Sequence, residues 1–181
     1  MTEAFKIISM VLAVTGFAVG LAQYRKGQKW KRAEFASRLL ERLREEWALQ
    51  FCCYVLDYSS RRIKAPDEYE GFKGNDDGAF VHTVERLEEA MKTEEERQVF
   101  EWPLIVYRDS FDRFFQYLEN LDHYINIGLI ETKDITPIRY WLQQVNHYRF
   151  NDKQVFTNFL EHYQYTGVFS LMKKFDIPLH N

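Results

Sequence analysis

The chain has 181 residues, 17% of them aromatic, with only eight glycines and four prolines, enough for one core plus an appendage and few helix breakers. Its two cysteines, Cys52 and Cys53, are adjacent, which excludes a disulfide framework and C-x-x-C zinc spacing; two buried thiols on a helix are expected, with no metal and no cofactor. The net charge of −3 is uneven: residues 1–32 hold six basic side chains against Glu3, a charge of +5, leaving −8 on residues 33–181, which argues against direct nucleic-acid binding.

Residues 7–22, IISMVLAVTGFAVGLA, are an uncharged run. As a helix this run covers about 24 Å of a hydrocarbon core roughly 30 Å thick, and Phe5, Gln23 and Tyr24 extend it. Residues 1–24 are therefore read as a transmembrane helix. A cleaved signal peptide would carry its positive charge before the apolar run. Here the cluster RKGQKWKR follows it, which places the N-terminus outside and residues 25–181 in the cytoplasm. Tyr24, Arg25, Lys26, Lys29, Trp30, Lys31 and Arg32 are the expected membrane-interface residues.

The run has two sides. At 100° per residue, Ser9, Ala13, Gly16, Gly20, Gln23 and Gly27 fall within about 40° of one line. Gly16-x-x-x-Gly20 is a spacing that lets helix backbones approach closely in lipid. This line is the candidate face for packing against other copies or for lining a pore, an ordinary single-pass anchor being the alternative.

Residues 25–60 form a basic neck that leads into a long amphipathic helix. Phe35, Leu39, Leu40, Leu43, Trp47, Phe51 and Val55 recur at helical spacing to about Tyr58, with a bend expected near Gly27. Residues 59–78 are expected as an exposed loop, and a charged helix follows over about 79–92. After a break near Pro103, one long aromatic-rich helix should close near Gly128. Thr136 reads as an N-cap with Pro137 in the first turn. Asn151 or Asp152 should cap another helix, and Gly167 should separate the last one. No period-2 run suggests a strand, so the class is all-α, with residues 61–181 a cytoplasmic helical domain.

Catalytic signatures are sparse. There is no G-x-S-x-G turn and no Gly-rich phosphate loop. His82, His123, His147, His162 and His180 are scattered. Helical ribonucleases of the HEPN superfamily use an Arg and a His separated by four to six residues, the Arg holding a phosphate and the His moving a proton. No pair here has that spacing. Arg139 and His147, seven residues apart, come nearest, at about 12 Å of helical rise. No enzymatic activity is expected.

The N-terminal span, the neck QYRKGQKWKRAEF at 23–35 and the segment FDRFFQYLENLDHYINIGLI at 111–130, followed by a proline-started helix, resemble small single-span bacterial membrane proteins with a helical cytoplasmic domain. More narrowly, they resemble the accessory membrane proteins of type VI-B CRISPR systems. That resemblance implies a divergent HEPN-like domain, homo-oligomerisation and a pore in the inner membrane, serving antiviral defence beside an RNA-guided RNase partner. A membrane-tethered ribonuclease and a non-enzymatic membrane scaffold are the alternatives.

Overall fold

A computed structural model describes residues 2–72, 78–96, 99–148, 150 and 154–178. Helix α1 runs unbroken over Thr2–Glu45, about 66 Å at 1.5 Å per residue. The helix is not interrupted at Gly27. The helix ends instead at Glu46, whose extended backbone (φ −76°, ψ 117°) starts α2 (Trp47–Asp57) in a new direction. The redirection lets α2 bury Leu49, Phe51, Cys52, Val55 and Leu56, a stripe that a straight continuation of α1 would carry away from the domain.

The segment beyond α2 departs from the expected loop and helix. Strand β1 (Ser60–Lys64) pairs antiparallel with β2 (Ala79–Thr83), in the register Ser60 with Thr83 and Lys64 with Ala79. A short 3-10 helix at Asp67–Phe72 lies between them. Strand β2 alternates as a half-buried strand should, but with an apolar residue out and a polar one in: Phe80 and His82 are buried and Val81 is exposed. That inversion hides its period from hydropathy. Helix α3 is correspondingly short, Val84–Ala90, with the Thr83 hydroxyl accepting from the Arg86 amide at 3.3 Å.

Helix α4 (Leu104–Asn126) is the spine, and Pro103 precedes it. Its inner face buries Val106, Tyr107, Phe111, Phe114, Phe115, Tyr117, Leu118 and Leu121. Helices α2, α3 and α7 (Thr166–Lys174) pack on it. Phe111 and Phe115 meet Phe156 of α6 (Val155–His162), with centroids 5.3 and 5.8 Å apart. Arg108 spans two elements: it donates to the Ala90 and Lys92 carbonyls at the end of α3 and to the Tyr163 hydroxyl, while stacking on Phe100. Cys52 and Cys53 are free and buried, as expected, and burial pushes the Cys53 thiol up to about 12.

Helix ends show why local signals misled at two places. Thr136 does not cap α5 (Ile138–Asn146); it follows the 3-10 turn Thr132–Ile135, and its hydroxyl donates back to the Lys133 carbonyl. Gly167 lies inside α7 (Thr166–Lys174) rather than before it. Its role is close approach: a Cβ there would stand 2.8 Å from Oε1 of Glu119, the carboxylate of α4 that accepts the first amides of α7, with Val168 N at 3.2 Å. The predicted cap at Asn151 or Asp152 lies outside the described residues.

Three helices close with the same geometry. After α4, Gly128 (φ 75°) donates to Ile125 and Leu129 to Tyr124; after α6, Gln164 (φ 60°) donates to Glu161 and Tyr165 to Leu160; after α7, Asp176 (φ 54°) donates to Lys173 and Ile177 to Met172. Each is a Schellman end, whose left-handed residue is usually glycine. Gln164 is exposed, so its side chain gives little in return for the left-handed backbone. Gln164→Gly should stabilise the fold by about 0.5–1 kcal/mol, seen as a thermal midpoint raised by a few degrees in detergent. A lowered midpoint would contradict the reading.

Candidate functional site: the apolar helix and its junction with the domain

One helix among the described residues is long and apolar enough to cross a membrane, and its apolar window is fully exposed. Phe5, Met10, Leu12 and Phe17 are each about 70% exposed, a continuous apolar cylinder that a lone chain in water would not leave uncovered. Ser9 and Thr15 donate back to the Phe5 and Val11 carbonyls at 2.8 Å, so these hydroxyls are satisfied within their own helix. Along the small-residue line, a Cβ built on Gly16, Gly20 or Gly27 meets nothing within 4 Å.

Beyond the apolar stretch, α1 becomes part of the domain. Arg32 pairs with Glu131 and, through Nε at 3.0 Å, with Asp134. Both carboxylates are held ready by the turn itself, since Asp134 accepts the Glu131 amide at 2.8 Å in a reciprocal cap. Lys133 pairs with the other oxygen of Glu131. The Arg32 pairing and the lysine both hold the Glu131 carboxyl below its usual range, Lys133 being the larger influence. One turn on, the ring of Phe35 meets that of Tyr124 edge-on at 5.2 Å, and the Tyr117 hydroxyl donates to the Leu39 carbonyl at 2.8 Å.

These contacts settle two relations. Leu39 lies against Tyr117, Phe35 against Tyr124, and Gln28 to Arg32 beside Gly128 and Leu129, so α4 runs antiparallel to α1 with its C-terminal end toward the apolar stretch. The docked residues Arg32, Phe35, Ala36, Leu39 and Leu43 centre about 140° around the helix from the small-residue line. That line continues downward as Glu34, Arg38, Glu41 and Glu45, all exposed, with Arg38 bonded to Glu34 at 2.7 Å. The glycine face and the domain therefore occupy different sides of α1.

Of the expected interface residues, Tyr24, Arg25, Lys26, Lys29, Trp30 and Lys31 are exposed, while Arg32 is drawn into the junction. Sequence alone missed this because its partners lie about a hundred residues away. Arg139 and His147 are both exposed, one in the first turn of α5 and the other at its C-terminal cap. His123 and His162 are also exposed, and His180 lies outside the described residues.

His82 is the buried exception. Its Nε2–H donates to the Tyr58 carbonyl at 2.8 Å, leaving Nδ1 to accept the Tyr107 hydroxyl at 2.8 Å. Burial lowers the imidazole pKa and raises that of the Tyr107 phenol, so both stay neutral and act as a joint between α2, β2 and α4. No group of three metal-binding side chains is present among the described residues.

Two outcomes follow. Arg32→Ala leaves Glu131 and Asp134 facing each other and loosens the junction; spin labels on the apolar half of α1 and on the domain should give a broadened distance distribution, an unchanged one contradicting the clamp. For His82, the folded pKa lies below the ordinary 6.5, so the unfolded chain binds the extra proton first. Stability is full above pH 6.5 and falls as pH drops below it toward the folded pKa. Thermal midpoints between pH 7.5 and 5 should show this fall, and His82→Gln should flatten it.

No protein-family model, curated protein or solved structure matches this chain.

Proposed function

We propose that this chain is a single-span membrane protein of the bacterial inner membrane that assembles with copies of itself through the small-residue face of its span, forming a pore. The observation that carries the reading is the placement of that face. Gly16 and Gly20 stand open on a helix otherwise sheathed in large apolar side chains, and the domain docks on another side of the same helix. A second span can approach without meeting the first chain's domain. Close packing at glycines is what association in lipid relies on, because lipid gives apolar side chains no reason to prefer one another.

The orientation follows from the neck: five basic residues directly after the apolar run hold it on the cytoplasmic side, and the N-terminus lies outside. The continuous helix then gives the cytoplasmic domain a mechanical hold on the span. A role in antiviral defence, with an RNA-guided RNase as the soluble partner and a divergent HEPN-like ancestry for the domain, rests on the resemblance of the neck and of residues 111–130. The wide separation of Arg139 and His147 along α5 lends no support to a ribonuclease.

The test uses the full chain in planar bilayers. Wild type should conduct, and the double variant Gly16→Leu, Gly20→Leu should lose at least tenfold in conductance together with its oligomeric mass in detergent. Leucine fits both positions in the isolated chain, so helix content should be unchanged and the loss would report contacts between chains. A wild-type protein that is monomeric in detergent and does not conduct would overturn the proposal.

A further inference from the structure

Because α4 runs toward the apolar half of α1, the turn that ends it lies beside the basic neck. That turn carries Ile127 and Leu129, which are 55% and 47% exposed. The Schellman bonds fix it rigidly, with Gly128 supplying the left-handed residue. Two apolar side chains exposed on an ordered turn beside a basic helix form an amphipathic pair of surfaces.

Between turn and neck lies a groove of about 390 Å³, lined by Gln28, Lys29, Lys31, Arg32 and Phe35 on one wall and by Gly128 and Leu129 on the other. Arg32 is spent on Glu131 and Asp134, and Glu131 is also held by Lys133, so the acidic groups nearby are already neutralised. Lys29 and Lys31 are exposed and engage no carboxylate among the described residues. The groove is thus flanked by two lysines about 160° apart around α1, beside the apolar Phe35 and Leu129. Its height also fits: Lys29 to Arg32 lie about 7–12 Å beyond Tyr24 along α1, at the outer reach of a headgroup layer that adds roughly 5–8 Å to each side of the hydrocarbon core.

We propose that this groove binds the headgroup of an anionic phospholipid: Lys29 and Lys31 hold the phosphate, while Ile127 and Leu129 enter the interfacial layer beside it. Charge complementarity with a cytoplasmic leaflet and continuity with the span select this occupant over a peptide or a soluble anion. The proposal rests on the membrane reading above. Its effect is to seat the domain against the bilayer, so that lipid composition sets the tilt of domain and span together.

The test measures lipid retained by the full chain in detergent, by native mass spectrometry, during titration with phosphatidylglycerol, phosphatidylcholine or inorganic phosphate. Phosphatidylglycerol should be retained in preference to phosphatidylcholine. The double variant Lys29→Gln, Lys31→Gln should bind it about thirtyfold more weakly, at roughly fivefold per lysine. Leu129→Ser should weaken it without changing helix content. Equal retention of both lipids, or an unaltered affinity in the lysine variant, would overturn the proposal, as would inorganic phosphate displacing the lipid at equal concentration. Resistance of the protein to alkaline extraction from membranes is measured in parallel; it tests insertion of the span alone, so loss of lipid selectivity with extraction resistance intact refutes the groove and spares the membrane reading.

Discussion

Arg32 sits where an unsupported apolar helix becomes part of a folded domain, and one guanidinium answers two carboxylates there. Its side chain and that of Asp134 are largely covered, 26% and 16% exposed, so the pair is less screened than an ordinary surface ion pair. The reciprocal bonds of the Glu131 turn hold the acceptors in place before the arginine arrives. Phe35 and Leu39 extend the junction with a ring contact and a hydroxyl–carbonyl bond. Without this junction α1 would be a leash; with it, the helix is a lever whose lower arm belongs to the core.

The domain that receives the lever is organised by α4. Its inner face provides the aromatic core, while its polar side chains serve the ends of other helices: Arg108 takes the last carbonyl of α3 and that of Lys92 just beyond it, Glu119 takes the first amides of α7, and Asp122 binds Lys174 near the end of α7 at 2.6 Å. Helix ends buried against another helix leave amides and carbonyls that water cannot reach, and a long central helix can satisfy several of them at once. The short α3, α6 and α7, of seven to nine residues, would not hold their ends alone.

The features legible in the sequence are those set by local periodicity and composition. The apolar run, the basic neck, the helical stripe from Phe35 to Val55 and the closure of α4 at Gly128 are all visible because each is decided within a few turns of chain. The break at Glu46 carries neither glycine nor proline; it is imposed by the core that α2 must reach. The β-pair was hidden because a buried histidine and an exposed valine invert the alternation of β2, and only the partners Tyr58 and Tyr107 make that inversion tolerable. In the candidate site, the small-residue line could be read directly from the 100° rule. The diversion of Arg32 from the interface to Glu131 and Asp134 could not, since it depends on a contact between distant parts of the chain.

The unbroken backbone of α1 also imposes an arithmetic on the neck. Every residue between Gly20 and Arg32 turns one end about 100° relative to the other. The direction in which the glycines face is therefore encoded by the number of residues in the neck as much as by their identity. One residue removed there would bring the glycines to within about 40° of the side of the helix that carries the domain, whereas seven inserted would leave them within about 20° of their present bearing. The neck acts as an angular gauge, constrained in length as well as in the side chains it presents.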